Sequence, residues 1–519
     1  MVKVNLDALI PREDFEIKAS TKAIKKIESI AIRDITPDSF FFPAVRKPDF
    51  QRETNEWDEE RVCQFIKSFV EGDLIPAIIL WRSESGLIFV IDGSHRLSSL
   101  IAWVNDDYGD GLISKPFYNG IVPDEQLNIA DRTRKMIDKK VGSYQNFKLA
   151  LENPDKVRDD IVNNARELGV LAIQLQWVEG NSEKAEDSFF KINQQSTPLD
   201  TTEIKLLRSR RKPNSIATRA IINSGTGHKY WSSFSKEKQC QVQELAKEIN
   251  NILFKPPLQT PIKTLDLPVC GKLYSNETLS MILTFVNIAN HVEDENPNIE
   301  NDETGETTIN FLKQAKKVAQ RFNSNHPSSL GLHPLLYCYS RSGRYRTVSF
   351  LATVYFVIKL VETKHLNGFI NIRAEFEQFL FDYNYLVSQI MSKYRSVQKS
   401  YRPIAEFWLK IVEGLKSNKK IDFILEDIVN NNFNYLKIGY SHDLPTSTSA
   451  VSQNFSQDQK SEIFILETFS QAPRCQICNG LIHCNSISID HKKRKRDGGS
   501  ANVDNGQVTH PYCNTGYKN

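Results

Sequence analysis

The chain has 519 residues, of which 40% are hydrophobic and 25% charged, and this composition excludes a mostly disordered or collagen-like protein. At roughly 150 residues per domain, the length predicts a protein of several domains, about three. The formal net charge of +3 by itself favours no class of partner. The N-terminal segment has no continuous apolar run, and the most apolar stretch, 350–361, is too short to cross a bilayer. We therefore expect a cytoplasmic protein with no membrane partner.

Residues 1–210 alternate strand-like and helix-like segments, which predicts an N-terminal α/β domain. The apolar runs 77–81 and 87–91 flank a turn-prone Ser-Glu-Ser-Gly segment and predict a β-hairpin. Two sets of apolar residues at helical spacing predict helices packed against the core. The sets are Val62, Phe65, Ile66 and Phe69 in the first helix and Leu97, Leu100, Ile101 and Val104 in the second.

The rest of the chain divides at two changes of composition. Residues 211–440 have helical periodicity and no motif with evident chemistry, so we expect a helical domain there, with 350–361 as a buried helix. Residues 441–470 begin with a stretch rich in Ser, Thr, Gln and Asp and predict a linker. This leaves 471–519 as a C-terminal domain, and the predicted fold class is a multidomain α+β protein.

The C-terminal domain concentrates metal-binding residue types. Four of the eight cysteines lie within it, which in a chain without a secretory signal favours metal binding over disulfides. A Cys-x-x-Cys pair and a later His-x-x-Cys pair offer four soft ligands for one tetrahedral zinc ion, and a domain this small needs such a staple. His483 and Cys484 are alternative ligands at a less suitable spacing. The predicted zinc ligands are Cys475, Cys478, His510 and Cys513.

A second group of residues, between and after these pairs, is not required by a structural zinc ion. Asp490, at the end of a short predicted strand, offers a carboxylate to a hard divalent cation, and Asn514 offers a second oxygen ligand. His491 offers an imidazole that can deprotonate water near neutral pH. A Gly-Gly pair predicts a turn, and Asn505 predicts the start of a helix. Together these groups predict metal-assisted hydrolysis of a phosphodiester.

The order of these motifs over residues 471–517 resembles the HNH, or ββα-metal, nuclease family, with His510 where cysteine is more usual. The resemblance implies a zinc-stapled ββα-metal fold and a DNA endonuclease. It assigns His491 as the general base and Asn505 as a brace of the His491 loop. It also assigns Asp490 and Asn514 as ligands of a catalytic Mg²⁺ or Mn²⁺ ion.

Five consecutive basic residues follow the Asp-His pair, and residues 471–519 hold seven basic against three acidic residues. Such a cluster releases counterions on a DNA duplex, so we expect it to grip phosphates, with a solvated loop or a targeting signal as the alternatives. The cluster consists of Lys492, Lys493, Arg494, Lys495 and Arg496. A zinc knuckle that binds DNA or protein without cutting is the competing interpretation of the whole domain.

The N-terminal domain contains a strand-to-helix turn, residues 92–96, that suits an anion. Its glycine lets backbone N–H groups approach a phosphate, and the helix N-terminus adds a favourable dipole. Arg96 can fork onto a phosphate, and Asp92 can hold a metal ion or a hydroxyl group. A capped helix with a surface arginine is the structural alternative.

The surroundings of this turn resemble the DUF262 family, a ParB-like α/β domain of the GmrSD and SspE type found in modification-dependent restriction proteins. The resemblance covers about residues 30–210 and rests on Phe-Gln-Arg at 50–52, Asp-Gly-Ser-His-Arg at 92–96 and the Asn-to-Leu segment at 193–199. It implies a pocket for a nucleoside triphosphate or a DNA phosphate. The pocket residues implied are Gln51, Arg52, Asp92, Gly93, Ser94, His95, Arg96 and Asn193.

These features together predict a DNA endonuclease of a restriction or anti-phage system that depends on DNA modification and is regulated by nucleotide, with a linker that releases the nuclease domain. The expected cofactors are structural Zn²⁺, catalytic Mg²⁺ or Mn²⁺, and a nucleoside triphosphate whose hydrolysis is left open. The expected partners are foreign or modified DNA, a nucleotide, and either further copies of the chain or companion defence proteins. Two alternatives stand beside this hypothesis: a nucleotide-switched DNA-binding protein with a non-cutting zinc module, and an HNH nuclease of repair or mobile-element type.

Overall fold

The computed structural model describes residues 3–13, 15, 26–48, 51, 54, 57–118, 120–196, 206, 209–226, 230–273, 277–292, 299–439 and 454–518. The chain forms two compact units, one of Met1–Arg210 with Thr226–Tyr230 and one of Arg211–Gly225 with Trp231–Asn519. The protein is of mixed α/β character. Among the described residues, no helix combines the length and the apolar character that a membrane crossing needs.

A six-stranded mixed sheet forms the centre of the first unit. Its strands are β1 Arg12–Glu13, β2 Ser29–Ala31, β3 Val45–Pro48, β4 Ile78–Arg82, β5 Ile88–Asp92 and β6 Ala172–Trp177. Their spatial order is β1-β3-β5-β4-β6-β2. β4 and β5 pair antiparallel, with Trp81 opposite Phe89, which confirms the predicted hairpin. β3 runs parallel to β5, and β4 runs parallel to β6.

Helices cover both faces of this sheet. They are α1 Glu59–Val70, α2 Ser94–Asn105, α3 Asp124–Lys140, α4 Tyr144–Glu152, α5 Asp159–Glu167 and α6 Ser182–Ser196. α1 and α2 bury both predicted apolar stripes in a core that includes Leu80, with Phe65 only partly buried against it. α6 packs Phe189 against Trp81 on the opposite face. The predicted core helices and the α/β character of this region are confirmed.

A buried ion network ties the start of the chain to the segment that follows β3. Nζ of Lys47 and Nη2 of Arg12 donate to Oδ1 of Asp7 at 2.7 and 2.8 Å. Burial by itself raises the pKa of Asp7, but the two cations outweigh it and hold that pKa below its usual range. Arg12 also donates to the backbone carbonyl of Gln51. The network therefore fixes the backbone of a predicted pocket residue.

The second unit is mostly helical, which confirms the helical character predicted for 211–440 in the part that the structure describes. Its helices are α7 Pro213–Ile222, α8 Lys236–Phe254, α9 Thr278–Ala289, α10 Glu306–Phe322, α11 Pro334–Cys338, α12 Thr347–Glu362, α13 Leu366–Asp382, α14 Tyr385–Tyr394, α15 Val397–Lys416, α16 Ile421–Asn431 and α17 Gln457–Phe469, and its strands are β7 Ser488–His491 and β8 Gly506–Thr509. α12 contains the buried apolar helix predicted at 350–361.

The predicted linker 441–470 differs from the structure in its second half. Residues 440–453 lie outside the described residues, whereas α17 is a regular helix that begins at a capping box. This helix buries Ile465 and Phe469, and the ring of Phe469 stacks on Phe381 of α13 with centroids 3.9 Å apart. The sequence has an apolar run at 463–466, so the polar composition of 441–461 does not extend through the whole segment, and its second half packs instead of linking.

Residues 471–518 share the second unit with the helices. The backbone N–H of Tyr512 donates to the carbonyl of Ser329 at 2.9 Å. The hydroxyl groups of Ser329 and Ser486 hydrogen-bond to each other at 2.9 Å. The small C-terminal module therefore gains from its helical neighbours part of the core that it cannot build alone.

Candidate functional site

Four buried side chains converge in the C-terminal module. Cys475, Cys478, His510 and Cys513 each place one sulfur or ring nitrogen within 4.8 Å of the others. The first pair lies on a tight turn in which the backbone N–H of Asn479 donates to the carbonyl of Cys475 at 2.8 Å. The structure thus brings together the four residues predicted as zinc ligands.

His510 presents one ring nitrogen to the sulfur atoms. Its Nδ1 lies 3.3 Å from Sγ of Cys478 and 3.9 Å from Sγ of Cys513. Its Nε2 lies 2.9 Å from the backbone carbonyl of Leu481. Because a carbonyl oxygen can only accept, Nε2 carries the proton and Nδ1 keeps the lone pair that a metal ion needs.

The pKa values of two of the clustered thiols are shifted in opposite directions. Hydrogen bonding to Cys478 and Cys513 lowers the pKa of Cys475, and hydrogen bonding to Cys475 and Cys478 raises the pKa of Cys513. A thiolate is therefore favoured within the group. Zinc binds thiolates and neutral imidazole in a tetrahedral set, so the chemistry of these four donors fits a zinc ion.

A buried ion pair of α13 forms one wall of this cluster. Nε of Arg373 donates to Oε1 of Glu377 at 2.6 Å, and both side chains are fully buried. Nη1 of Arg373 lies 3.2 Å from Nδ1 of His510, and Oε2 of Glu377 accepts from the backbone N–H of Leu481 at 2.9 Å. A Cβ on Gly480 would lie 2.4 Å from Nε of Arg373, so glycine is needed for this approach.

The alternative ligands His483 and Cys484 lie with Asp266 and outside the four-residue group. Nε2 of His483 is 3.0 Å from the carbonyl of Leu267, and Nδ1 is 3.1 Å from Oδ1 of Asn323. Burial lowers the pKa of His483 to about 4, so the ring is neutral near pH 7. Since both ring nitrogens already have hydrogen-bond partners, the histidine serves the packing of this region.

We expect Cys478→Ser to reduce zinc from one ion per chain to less than about a tenth of that, because the variant retains only two thiolate ligands. Elemental analysis of the purified protein measures the metal content. Cys484→Ser is the matched control, since it removes a thiol that lies outside the four-residue group. Equal zinc content in the two variants would contradict the predicted ligand set.

Asp490 and His491 end strand β7, beside the cysteine cluster in the sequence and in the fold. β7 pairs antiparallel with β8, with Asp490 opposite Gln507 and His491 opposite Gly506. Two strands are followed by a helical turn, Cys513–Tyr517, so the element order is β, β and helix. The strand predicted to end in Asp490 is present.

Asn505 closes the loop between the two strands. Its Oδ1 accepts from the backbone N–H of Lys493 at 2.8 Å, and its Nδ2 donates to the carbonyls of Lys493 at 3.1 Å and Ser500 at 2.7 Å. The prediction that Asn505 starts a helix was wrong, because it ends the short turn Val503–Asn505 and leads into β8. Its amide satisfies loop backbone groups instead of capping a helix.

The carboxylate of Asp490 is nearly buried and has two donors. Its Oδ2 accepts from Nε2 of Gln507 at 2.8 Å and from Nζ of Lys518. Burial by itself raises the pKa of Asp490, but the hydrogen bonds from Lys518 and Gln507 outweigh burial and hold the pKa below its ordinary value. The side chain is therefore an ionised carboxylate, a hard oxygen ligand that fits Mg²⁺ or Mn²⁺.

Asn514 lies against the same strand. Its Nδ2 donates to Oγ of Ser488 at 2.8 Å and to the carbonyl of Ile489 at 3.4 Å. The carboxamide thus contacts the two strand residues that precede Asp490. An amide oxygen is also a hard ligand, so the predicted pair of oxygen donors fits a divalent cation in kind.

The five basic residues lie in the loop between β7 and β8. All except Arg494 are exposed. Nη2 of Arg494 donates to the backbone carbonyl of Lys518 at 2.7 Å, and Nζ of Lys492 donates to the carbonyl of Asp504 at 2.9 Å. Exposed cations beside Asp490 and His491 are suited to the phosphates of a nucleic acid.

The predicted anion-binding turn of the first unit lies at the end of β5. Gly93 follows Asp92 with a φ of 93°, and a Cβ there would lie 3.0 Å from Ile78 and 3.1 Å from the guanidinium of Arg96. Both the left-handed φ and the close approach require glycine. Because β3 and β5 are parallel neighbours, Gln51 and Gly93 follow the same edge of the sheet, where open α/β sheets bind ligands.

Several predicted pocket residues have defined partners at this edge. Nη2 of Arg96 donates to Oδ2 of Asp92 at 2.6 Å. The ring of His95 stacks on that of Trp57 with centroids 5.5 Å apart. Oε1 of Gln51 is buried and has no hydrogen-bond partner among the described residues. A buried amide oxygen without a donor is costly, so Gln51 fits a site that a ligand completes.

The remaining predicted pocket residues are less fully described. Ser94 is buried at the first position of α2. Asn193 belongs to α6, and its side chain is outside the described part of the structure. Arg52 lies outside the described residues. The structure therefore groups the 92–96 turn and Gln51 at one sheet edge and leaves the positions of Arg52 and the Asn193 side chain as predictions.

Sequence reasoning missed three residues around these sites: Arg373, Gln507 and Lys518. The hairpin register would have placed Gln507 opposite Asp490. Lys518 follows Asn514 at the spacing at which neighbouring turns of a helix meet. Arg373 has no sequence signal of burial, because with Glu377 it has the spacing of an ordinary surface pair on a helix.

Comparison with known proteins identifies part of the chain. A search of curated proteins and a search of solved structures gave no match. Residues 31–210 match the family described as GmrSD restriction endonuclease, N-terminal domain, and this range contains every predicted pocket residue. The resemblance to the DUF262 family is thereby confirmed for the N-terminal region. The chain contains, at residues 31–210, a domain of the GmrSD restriction endonuclease N-terminal type.

Proposed function

We propose that the protein is a DNA endonuclease of a restriction or anti-phage defence system, of the HNH type. The observation that carries this proposal is the ionised carboxylate of Asp490 next to His491 at the end of β7, beside the four-residue cysteine and histidine cluster. The match of residues 31–210 to a restriction endonuclease domain supports the biological role. DNA, foreign or modified, is the substrate.

In the proposed mechanism, the residues of the C-terminal module position one phosphodiester and one water molecule. His491 takes the proton of the attacking water on a ring nitrogen. Asp490 and Asn514 would hold a divalent cation, and Asn505 keeps the loop after His491 in place through its backbone hydrogen bonds. A bound Mg²⁺ or Mn²⁺ ion would stabilise the negative charge that develops on the phosphate.

The basic loop residues bind the DNA backbone beside this site. Their charge orients the duplex and raises the local concentration of substrate without selecting a sequence. The zinc cluster fixes the turn that carries Cys513 and hence Asn514. We expect the module to act while it is packed on the helices, since Arg474 lies over the ring of Phe469 on α17 and the backbone N–H of Leu481 donates to Glu377 on α13.

The N-terminal domain is proposed as the sensor that licenses cutting. The left-handed Gly93, the start of α2 and the buried oxygen of Gln51 form a place for a nucleoside triphosphate or a DNA phosphate. The guanidinium of Arg96, which pairs with Asp92 in the structure, can donate two hydrogen bonds to the phosphate. A bound nucleotide and a modification of the DNA would both control cutting through this domain.

The test is cleavage of a panel of modified and unmodified plasmid and phage DNAs with Mg²⁺, with and without each nucleoside triphosphate. We expect nicking or cutting of modified DNA that depends on both the metal ion and a triphosphate. Equal cutting of all DNAs, whatever nucleotide is present, would favour a repair or mobile-element nuclease. Binding without any cutting would favour the nucleotide-switched DNA-binding protein.

A further inference from the structure

Lys518 has an unusual position for a lysine next to a proposed metal site. Its Nζ donates both to Oδ2 of Asp490 and to the backbone carbonyl of His491, the latter at 2.7 Å. The side chain is only 18% exposed. A positive charge of this chain therefore already lies against the carboxylate that is proposed to hold the cation.

The backbone around Lys518 is anchored on both sides of this contact. Its N–H donates to the carbonyl of Cys513 at 3.2 Å, and its own carbonyl accepts from Arg494 at 2.7 Å. The ammonium group is thus held by a turn that begins at a zinc-binding residue and by the basic loop. This contact therefore joins three parts of the module.

A divalent cation and an ammonium group cannot share Oδ2 of Asp490 closely, because like charges repel strongly in a site shielded from water. We propose that Lys518 is a positioning residue whose ammonium group is the internal counter-ion of Asp490 and competes with the divalent metal ion for it. This inference rests on the proposed function of Asp490. Lys518 keeps the carboxylate of Asp490 oriented before the metal binds, and it weakens metal binding in the absence of DNA.

A consequence follows for the order of assembly. When the metal ion displaces the ammonium group, Lys518 needs a new anionic partner, and a backbone phosphate of DNA is an anion that the site is proposed to receive. The metal ion and DNA therefore each raise the affinity of the protein for the other. The protein without DNA binds the metal ion only weakly.

The test measures Mn²⁺ binding to the full-length, zinc-loaded protein without DNA. The readout is the electron paramagnetic resonance signal of free Mn²⁺. We expect Lys518→Met to lower the Mn²⁺ dissociation constant about tenfold. Lys460→Met is the matched control, because it removes the same charge from an exposed residue of the same unit that lies outside the basic cluster, and its effect should stay within about twofold. Lys518→Arg, which keeps the charge, should bind no tighter than wild type.

The variant Asp490→Asn separates the possible outcomes. Added to Lys518→Met, it should abolish the gain in affinity. Weaker binding by Lys518→Met, or a change no larger than that of Lys460→Met, would overturn the proposal. Because this measurement needs no DNA and no cutting, a wild-type protein that cuts nothing would refute the nuclease function and leave the competition for Asp490 to be judged by its own result.

Discussion

Replacement of His491 by alanine should lower the rate of plasmid cutting about 10²- to 10⁴-fold, because it removes the proposed proton acceptor for water. The backbone of His491 pairs with Gly506, and its carbonyl accepts from Lys518, so the hairpin does not depend on the imidazole. Zinc content and the helical signal should therefore equal those of the wild type. The measurement is the initial rate of nicking of supercoiled plasmid with saturating Mg²⁺.

The control for this variant is His291→Ala. His291 is exposed and lies near Glu362 on the helical part of the second unit, so its loss should leave the cutting rate unchanged. Free imidazole added to His491→Ala should restore part of the rate, since it supplies the missing base. Cutting by His491→Ala at the wild-type rate would refute its assignment as the general base.

The features that the sequence predicted correctly are those that local chemistry determines. The convergence of Cys475, Cys478, His510 and Cys513 follows from their spacing in two pairs, and the structure gathers them within 4.8 Å. The hairpin of β4 and β5 follows from two apolar runs and a turn, and the helix stripes of α1 and α2 follow from periodicity. In each case the decisive residues are close in sequence or are brought together by a recognisable pattern.

The features that escaped prediction depend on contacts between distant segments. Arg373 and Glu377 have the spacing of a surface pair, yet the turn that follows Cys475 and Cys478, more than a hundred residues later in the chain, packs on them and they are buried. Asparagine is a residue type that often begins a helix, but Asn505 leads into β8, and the pairing of β8 with β7 outweighs that preference. α17 was missed because the predicted linker was extended from its polar first half over the apolar residues 463–466, and because the packing partner of this helix, Phe381, lies in another part of the chain.

The second large effect concerns this buried ion pair. Arg373→Met should lower the opening free energy of the turn around Cys475 and Cys478 by about 3–5 kcal/mol, because it leaves the carboxylate of Glu377 buried and unpaired. The guanidinium also donates to the carbonyls of Leu330 and Gly331, which would lose a buried donor. Hydrogen exchange of the peptides that contain the turn measures this opening, and zinc should dissociate faster from the variant.

Two further variants decide whether the loss of opening free energy comes from the buried, unpaired charge of Glu377. Arg373→Met with Glu377→Gln keeps an oxygen for the N–H of Leu481 but removes the buried charge, so it should be more stable than Arg373→Met alone. Lys359→Met breaks an exposed pair with Glu362 on α12 and should cost less than about 1 kcal/mol. If Arg373→Met exchanged no faster than Lys359→Met, the helices would not be holding the zinc-binding turn. In that case the module would be an independent domain, which is the arrangement that the sequence alone predicts.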